Sequence, residues 1–332
     1  MTGFFESILT WIFGWVQNYG WSVVIFTLVI RLILMPLDFK SKKSMRAMTK
    51  LQPKMQELQK KYGKDKEKYN QKVQDLYRRE KISPMSGCLP MLIQLPLLFI
   101  MFGAMRSLAN KQMMDMLIGI KDAVEGAVGA DGVLTTAQAA DIASRVPLQS
   151  WLWIKNVFQP DSFMSSILPT SASALNAVSH AELESVKAFL STENYALIAA
   201  QLGANDFIRI PLNLIFFQPT LVLPNSLDAL FSSANGLFIL PLFAALSQFF
   251  MTKLTSPKTE PGQEPQPGNM NSGLMKWLFP LMSLWFCAGY NAAFAIYWCI
   301  GNVIAIFQQY FINLYFDRKD KLAELTDGQP NT

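Results

Sequence analysis

GWSVVIFTLVIRLILMPL, residues 20–37, is an almost wholly apolar run that contains a single charge, Arg31. A helix of this length rises about 27 Å, which is enough to cross a bilayer core of about 30 Å. A charged side chain inside such a span is costly, so it marks a functional site by default. We therefore ask which other parts of the sequence Arg31 could face.

The composition is that of a membrane protein. Hydrophobic residues make up 51% of the chain and charged residues only 16%, and several apolar runs reach membrane-span length. Fifteen of the 29 Lys and Arg residues fall between positions 40 and 81, which places that segment in the cytoplasm. The three cysteines lie in apolar runs and the single histidine has no neighbouring co-ligands, so we predict no disulfide, metal site or cofactor.

The apolar runs predict an all-α polytopic membrane protein with five transmembrane helices, an outside N-terminus and a cytoplasmic C-terminus. The predicted spans are residues 20–37, 85–106, 236–253, 273–288 and 292–316. The segments between and around them are an interfacial amphipathic helix at 1–19, a cytoplasmic basic helical hairpin at 38–84, an enlarged extracytoplasmic helical region at 107–235, a cytoplasmic linker at 254–272 and a cytoplasmic tail at 317–332.

The basic hairpin is predicted from its apolar spacing. One helical stripe, spaced 3-4-3-4, is followed by a second after the turn at Gly63, so the two helices pack antiparallel. Pro53 must kink the first helix or restart it. The extracytoplasmic region carries eleven acidic and six basic residues, and its apolar patches at 148–158 and 209–223 are expected to rest on the membrane surface.

Arg31 has two alternative interpretations. It could snorkel to the cytoplasmic headgroups, but helical side chains lean toward the helix N-terminus, which here lies outside. No other predicted span contains Asp or Glu, so its partner would be solvent, lipid phosphate or a visiting molecule. Neutral polar side chains in the other spans either bond a neighbouring helix or line a hydrophilic groove with Arg31; they are Gln94, Ser247, Gln248, Asn302, Gln308 and Gln309.

Several stretches resemble the YidC-type membrane protein insertases and their mitochondrial and chloroplast relatives. They are VVIFTLVIRLILMPL, SMRAMTKLQPKMQELQKKYG, SPMSGCLPMLIQLPLLFIMF, WLWIKNVFQPD and YWCIGNVIAIFQQYFIN. The resemblance implies a five-helix core whose groove is open to the cytoplasm and lipid and closed to the outside. It also implies that hydrophobic segments of nascent membrane proteins enter this groove and pass sideways into the lipid bilayer of the bacterial plasma membrane.

The resemblance also assigns residues and partners. The groove arginine of the family corresponds to Arg31, its groove glutamine to Gln248 and its groove tryptophan to Trp298; Gln94 and Asn302 complete the predicted groove. A ribosome and a protein-conducting translocon are candidate partners. Residues 163–234 form a longer segment than this family leads us to expect, and the turn at 289–293 and the short tail also depart from its pattern.

Other function classes fit the sequence less well. A transporter or channel subunit, the main alternative, predicts paired carboxylates or inverted repeats in the membrane, and neither is found. A lipid-modifying enzyme needs a nucleophile, base or metal constellation, so we predict that the chain is not an enzyme. Lysines of the hairpin alternate with acidic residues, which favours a solvated face over a specific nucleic-acid site and leaves weak, salt-sensitive ribosome contact open.

Overall fold

A computed structural model describes residues 2–63, 65–80, 89–170, 175, 180–211, 220–255 and 273–327. The described chain is mostly helical. Its helices are α1 (Thr2–Val16), α2 (Tyr19–Lys50), α3 (Gln52–Tyr62), α4 (Lys66–Arg79), α5 (Leu89–Ala127), α6 (Thr136–Arg145), α7 (Leu183–Phe189), α8 (Glu193–Gln201), α9 (Leu227–Ser232), α10 (Ile239–Thr255), α11 (Gly273–Gly289) and α12 (Ala292–Asp327). Two strands, β1 (Phe207–Pro211) and β2 (Thr220–Pro224), lie between α8 and α9.

Among the described residues, two helical stretches are long and apolar enough to cross a membrane: Tyr19–Met48 in α2 and Ala292–Leu322 in α12. Gly3–Val16 and Ile239–Leu254 are shorter apolar helices. Large apolar side chains of α10 and α11 are exposed on one face, as lipid-facing side chains are; they include Leu242, Leu246, Phe250, Trp277, Leu281 and Trp285. The prediction of a helical membrane protein is thus supported, and the number of spans and their orientation stay predictions.

The basic hairpin has the predicted form. Its Pro53 lies in the first turn of α3, and α2 ends only two residues before α3 begins, so of the two alternatives for Pro53 the structure shows a restart of the helix rather than a kink. The two arms contact each other through a salt bridge of 2.7 Å between Lys54 and Glu80 and a bond of 3.3 Å from the Tyr77 hydroxyl to the Met55 sulfur. None of the side chains of α4 is buried.

The segment Trp151–Asp161 joins the beginnings of three long helices. A Cβ atom at Gly20 would lie 2.3 Å from the Trp151 indole, so only glycine permits this ring to pack on the start of α2. The backbone N–H groups of Ala292 and Ala293, which begin α12, donate to the carbonyls of Gln159 and Val157 at 2.9 Å. This segment therefore closes the helix assembly at the end where α2, α10 and α12 begin.

The fully buried carboxylate of Asp161 caps α10. It accepts hydrogen bonds from the backbone N–H groups of Leu237 at 2.9 Å and Leu240 at 2.7 Å, and from the Trp153 indole N–H at 3.2 Å. The first N–H groups of a helix lack partners within the helix, and the helix dipole favours an anion at this end. A Cβ atom at Gly236 would lie 2.0 Å from the same carboxylate, so glycine is required beside it.

The described residues between 107 and 235 pack in part around the second half of α5. Met114 and Leu117 of α5 are fully buried, together with Val186 of α7 and Ile198 of α8. The hydroxyl of Tyr195 donates to the Pro169 carbonyl at 2.7 Å, and burial raises the pKa of this tyrosine above its ordinary value. Helix α5 thus extends well past position 106, where the second span was predicted to end.

The pair β1 and β2 is a difference from the predicted all-α fold. The strands are antiparallel, with Arg209 opposite Val222 and Ile210 opposite Leu221. Apolar residues run through both strands without a helical or strand period, so the sequence could not distinguish this pairing from an irregular apolar patch. The strands satisfy each other's backbone groups, which an isolated extended segment could not do.

Salt bridges join the C-terminal parts of α2 and α12. Arg46 forms salt bridges with Asp317 and with Asp320, and the distance to Asp320 is 2.9 Å. Lys50 also pairs with Asp320, at 2.8 Å. The Phe39 and Phe316 rings stack beside these pairs with centroids 5.3 Å apart. The end opposite to Trp151–Asp161 is therefore polar and accessible to water.

We expect Asp161→Asn to destabilise the protein by about 3 kcal/mol, because the amide presents a donor to helix N–H groups that need an acceptor. Thermal unfolding of the detergent-solubilised chain, followed by intrinsic fluorescence, measures this loss as a lower midpoint. The exposed Asp131 provides the matched control, Asp131→Asn, which should leave the midpoint unchanged. Equal midpoints for the two variants would contradict the assigned role of Asp161.

Candidate functional site

Arg31 lies half-buried in the middle of α2 and packs against α12. A Cβ atom at Gly301 would lie 3.1 Å from Nη2 of Arg31 and 3.6 Å from its Nε. The guanidinium therefore rests on the backbone of α12 at a position where a side chain would crowd it. Small residues allow such close approach between helices in membranes. Gly301 was not among the predicted groove residues, although a glycine inside a predicted span is a signal of close packing.

Among the described residues, none forms a salt bridge with Arg31. Asp38, seven residues further along α2, interacts with it only at a distance. The buried Tyr297 of α12 also lies within its electrostatic reach. Arg31 is thus a cation among largely apolar helices. The N–H donors of its guanidinium are not paired with a carboxylate of the described residues. A guanidinium in this state binds planar or tetrahedral anions well.

Asn302 follows Gly301 and connects α12 to α10. Its Nδ2 donates to the Ser247 hydroxyl at 3.1 Å, and both side chains are buried. The Ser247 hydroxyl in turn donates to the carbonyl of Ala244 at 3.0 Å. Of the two interpretations of Asn302, the structure therefore supports a bond between neighbouring helices. This bond fixes α10 beside the stretch of α12 on which Arg31 rests.

Gln248 and Trp298 lie half-buried near this junction. Gln248 is the residue after Ser247, and its backbone carbonyl accepts from the Thr252 hydroxyl at 2.8 Å. Trp298 lies one helical turn before Gly301 on α12, and its indole N–H is buried without a hydrogen-bond partner. Trp298 therefore belongs to the helix on which Arg31 rests, and Gln248 to the helix that Asn302 bonds.

The structure thus places four of the five predicted site residues on three helices packed side by side. Arg31 is on α2, Gln248 on α10, and Trp298 and Asn302 on α12. The backbone of Gln94 belongs to α5, and its side chain lies outside the described part of the structure. Ser247, one of the polar side chains considered from the sequence, bonds Asn302 here, and Tyr297 joins the site as a residue that was not predicted. The sequence marks these two residues only weakly as part of a site, because a buried hydroxyl in a membrane span usually bonds only its own helix.

The site lies between two unlike ends of the helix assembly. Trp151–Asp161 covers the end where the helices begin, and charged pairs mark the end near Asp320. In the described part of the chain, no group of three His, Cys, Asp or Glu residues could hold a metal ion.

Comparison with known proteins identifies the family. The model of the 60Kd inner membrane protein family matches residues 11–185 and 182–319. A protein of Fusobacterium nucleatum named membrane protein insertase YidC is 48% identical over 93 residues, which are 28% of this chain and 45% of that protein. Proteins of the same name from Chlorobaculum parvum and Syntrophobacter fumaroxidans are 25% identical over 95% of the chain and 26% identical over 92%.

The chain spans less than half the length of each of these curated relatives, 45% of the first and 36% of the other two. The family match nevertheless covers the helices that carry Arg31, Gln248, Trp298 and Asn302. These helices form the packed arrangement described above. The chain belongs to the 60Kd inner membrane protein family.

Proposed function

We propose that this chain is a membrane protein insertase, which receives hydrophobic segments beside Arg31 and releases them sideways into the bilayer. The relatives that align with over nine-tenths of the chain are named as insertases. The observation that carries the proposal is the half-buried guanidinium of Arg31, which rests on Gly301 without a carboxylate partner among the described residues. An acidic residue in a passing polypeptide supplies that partner transiently.

The attraction between Arg31 and an acidic residue of the substrate is weak enough to be transient. A single charge pair near water contributes modestly, and a partner that returns to solvent regains its hydration. Arg31 therefore lowers the free energy of an acidic segment that has entered the helix assembly without trapping it. The substrate's apolar residues find lipid and the apolar faces of the neighbouring helices at the same time.

Sideways release requires an apolar surface next to the site. Helix α10 exposes Leu242, Phe243 and Leu246 near the buried Ser247. Helix α12 exposes Phe307 and Phe311 one to three turns beyond Gly301. A substrate helix that leaves the site can pack on these side chains before lipid surrounds it, because both environments are apolar.

The setting that we propose is the bacterial plasma membrane, with Trp151–Asp161 on the outside and the basic hairpin in the cytoplasm. The density of Lys and Arg between 40 and 81 supports this orientation. Nascent membrane proteins are the substrates in this proposal, and the lipid bilayer receives them. Ribosomes and a protein-conducting translocon are further candidate partners, and the exposed hairpin α3–α4 is the element that would meet a ribosome.

Arg31→Ala should slow insertion of substrates with acidic N-terminal tails by about tenfold, because a charge-assisted hydrogen bond is lost. Arg31→Lys should keep most of the rate, since it retains the charge. Insertion is measured by protease protection of the translocated tail in vesicles that contain the purified chain. Arg106→Ala, which removes an exposed arginine, is the control. Wild-type rates for Arg31→Ala with acidic tails would refute the proposal.

Gly301→Leu should produce the same selective defect as Arg31→Ala, because its side chain occupies the space of the guanidinium. Gly301→Ala should have a smaller effect, since the end of Arg31 can shift to relieve a contact of 3.1 Å. The measurement is the ratio of insertion rates for substrates with acidic and with neutral tails. Gly119→Leu is the control, because a Cβ atom there meets open space. An unchanged ratio for Gly301→Leu would show that Arg31 does not act from this position.

A further inference from the structure

A second cationic site lies outside the groove, between β1 and the loop that follows Trp151–Asp161. It is a pocket of about 210 Å³. Its lining combines one guanidinium, several hydroxyls and an amide with apolar side chains, and it contains no carboxylate. The residues that matter here are Gln159, Ser165, Ser166, Thr170, Phe207 and Arg209. No role in the insertase mechanism proposed above involves these residues.

The pocket is fixed to the ends of two long helices. The Gln159 carbonyl accepts from the N–H of Ala292, the first residue of α12, at 2.9 Å. The Ser165 carbonyl accepts from Asn235 at 2.8 Å, four residues before α10 begins. Because α10 and α12 are apolar helices that start here, the pocket lies at the level where the hydrocarbon core of a membrane meets its headgroups.

The strand pair presents two different faces. Side chains alternate along a strand, so Phe207 and Arg209 face the pocket, with Val222 opposite Arg209 also lining it. The other face carries Ile208 and Ile210, which are 51% and 41% exposed. Their cross-strand partners are Leu223 and Leu221, so this face is apolar on both strands. Contact of such an apolar face with lipid is more favourable than its contact with water.

The charge of the pocket is available to a ligand. Among the described residues none forms a salt bridge with Arg209, which is exposed. The planar donor fork of an arginine matches the oxygens of a phosphate, and hydroxyls of Ser165 and Thr170 offer further donors in the lining. A basic pocket beside membrane helices is suited to a lipid headgroup.

We propose that this pocket binds the phosphate of an anionic membrane phospholipid, while the apolar face of β1 and β2 lies against the acyl chains of the same leaflet. A phospholipid is the occupant that satisfies both faces of the strand pair, since it carries phosphate and hydrocarbon in one molecule. The carboxylates of a passing polypeptide would use Arg209 and leave Ile208 and Ile210 in water. The site anchors residues 107–235 to the bilayer.

Photocrosslinking tests the position of the strand pair. The full chain is placed in vesicles of phosphatidylethanolamine and phosphatidylglycerol with benzoyl-phenylalanine at position 210 or, as a control, at the exposed position 145 on α6. We expect phospholipid adducts from position 210 at several times the yield from position 145. Equal yields would overturn the proposal, because the strand face would not contact lipid.

Native mass spectrometry tests the charge. The detergent-solubilised chain should bind phosphatidylglycerol about tenfold more weakly after Arg209→Gln, and Arg209→Lys should restore much of the binding. Arg145→Gln should bind like the unmodified chain, and diacylglycerol, which lacks phosphate, should not distinguish the variants. Equal affinity of wild type and Arg209→Gln would overturn the proposal. Displacement of the lipid by inorganic phosphate or an acidic decapeptide at millimolar concentration would assign the pocket to free phosphate or to polypeptide instead.

Discussion

The contact between Arg31 and Gly301 determines how the long helices meet. A guanidinium among apolar helices loses hydration, and that loss is costly unless polar groups approach it closely. Glycine at position 301 lets the charged group lie close to the helix backbone, where a Cβ atom would crowd it at 3.1 Å from Nη2. The next residue, Asn302, bonds Ser247 and brings α10 to the same place. Two neighbouring residues of α12 therefore contact α2 on one side and α10 on another.

The two ends of this helix assembly differ in burial and charge, so they differ in how easily the helices can separate there. At one end Asp161 is buried and saturated with hydrogen bonds from the start of α10, so separating these elements would leave a buried charge without partners. At the other end the pairs of Arg46 with Asp317 and Asp320 are partly exposed, and exposed ion pairs contribute only about 0–1 kcal/mol each. The charged end therefore costs less to open than the end near Asp161.

Local patterns in the sequence were sufficient to predict much of this arrangement. The apolar run around Arg31 predicted α2, the flanking stripes predicted the hairpin α3–α4, and Pro53 predicted a kink or a restart, of which the structure shows the restart. The assignments of Gln248 and Trp298 to the groove came from a family resemblance, whereas Asn302 was chosen as a polar residue inside an apolar span. Local patterns could not predict contacts between residues that are far apart in the sequence.

Three such features stand out. Asp161 caps α10 from 76 to 79 residues away, so no local signal marks it as a cap. The close approach of Gly301 to Arg31 depends on the packing of two helices. The strands β1 and β2 pair through an apolar stretch that has no regular period.

The central claim is that a polypeptide passes beside Arg31, and site-specific photocrosslinking to an arrested nascent membrane protein tests it most directly. Photoreactive residues at positions 248 and 298 should crosslink to a substrate with an acidic tail, and position 15, exposed on α1, should not. The crosslinks at 248 and 298 should weaken in Arg31→Ala. Equal crosslinking at all three positions, or crosslinks that persist unchanged without Arg31, would contradict the account.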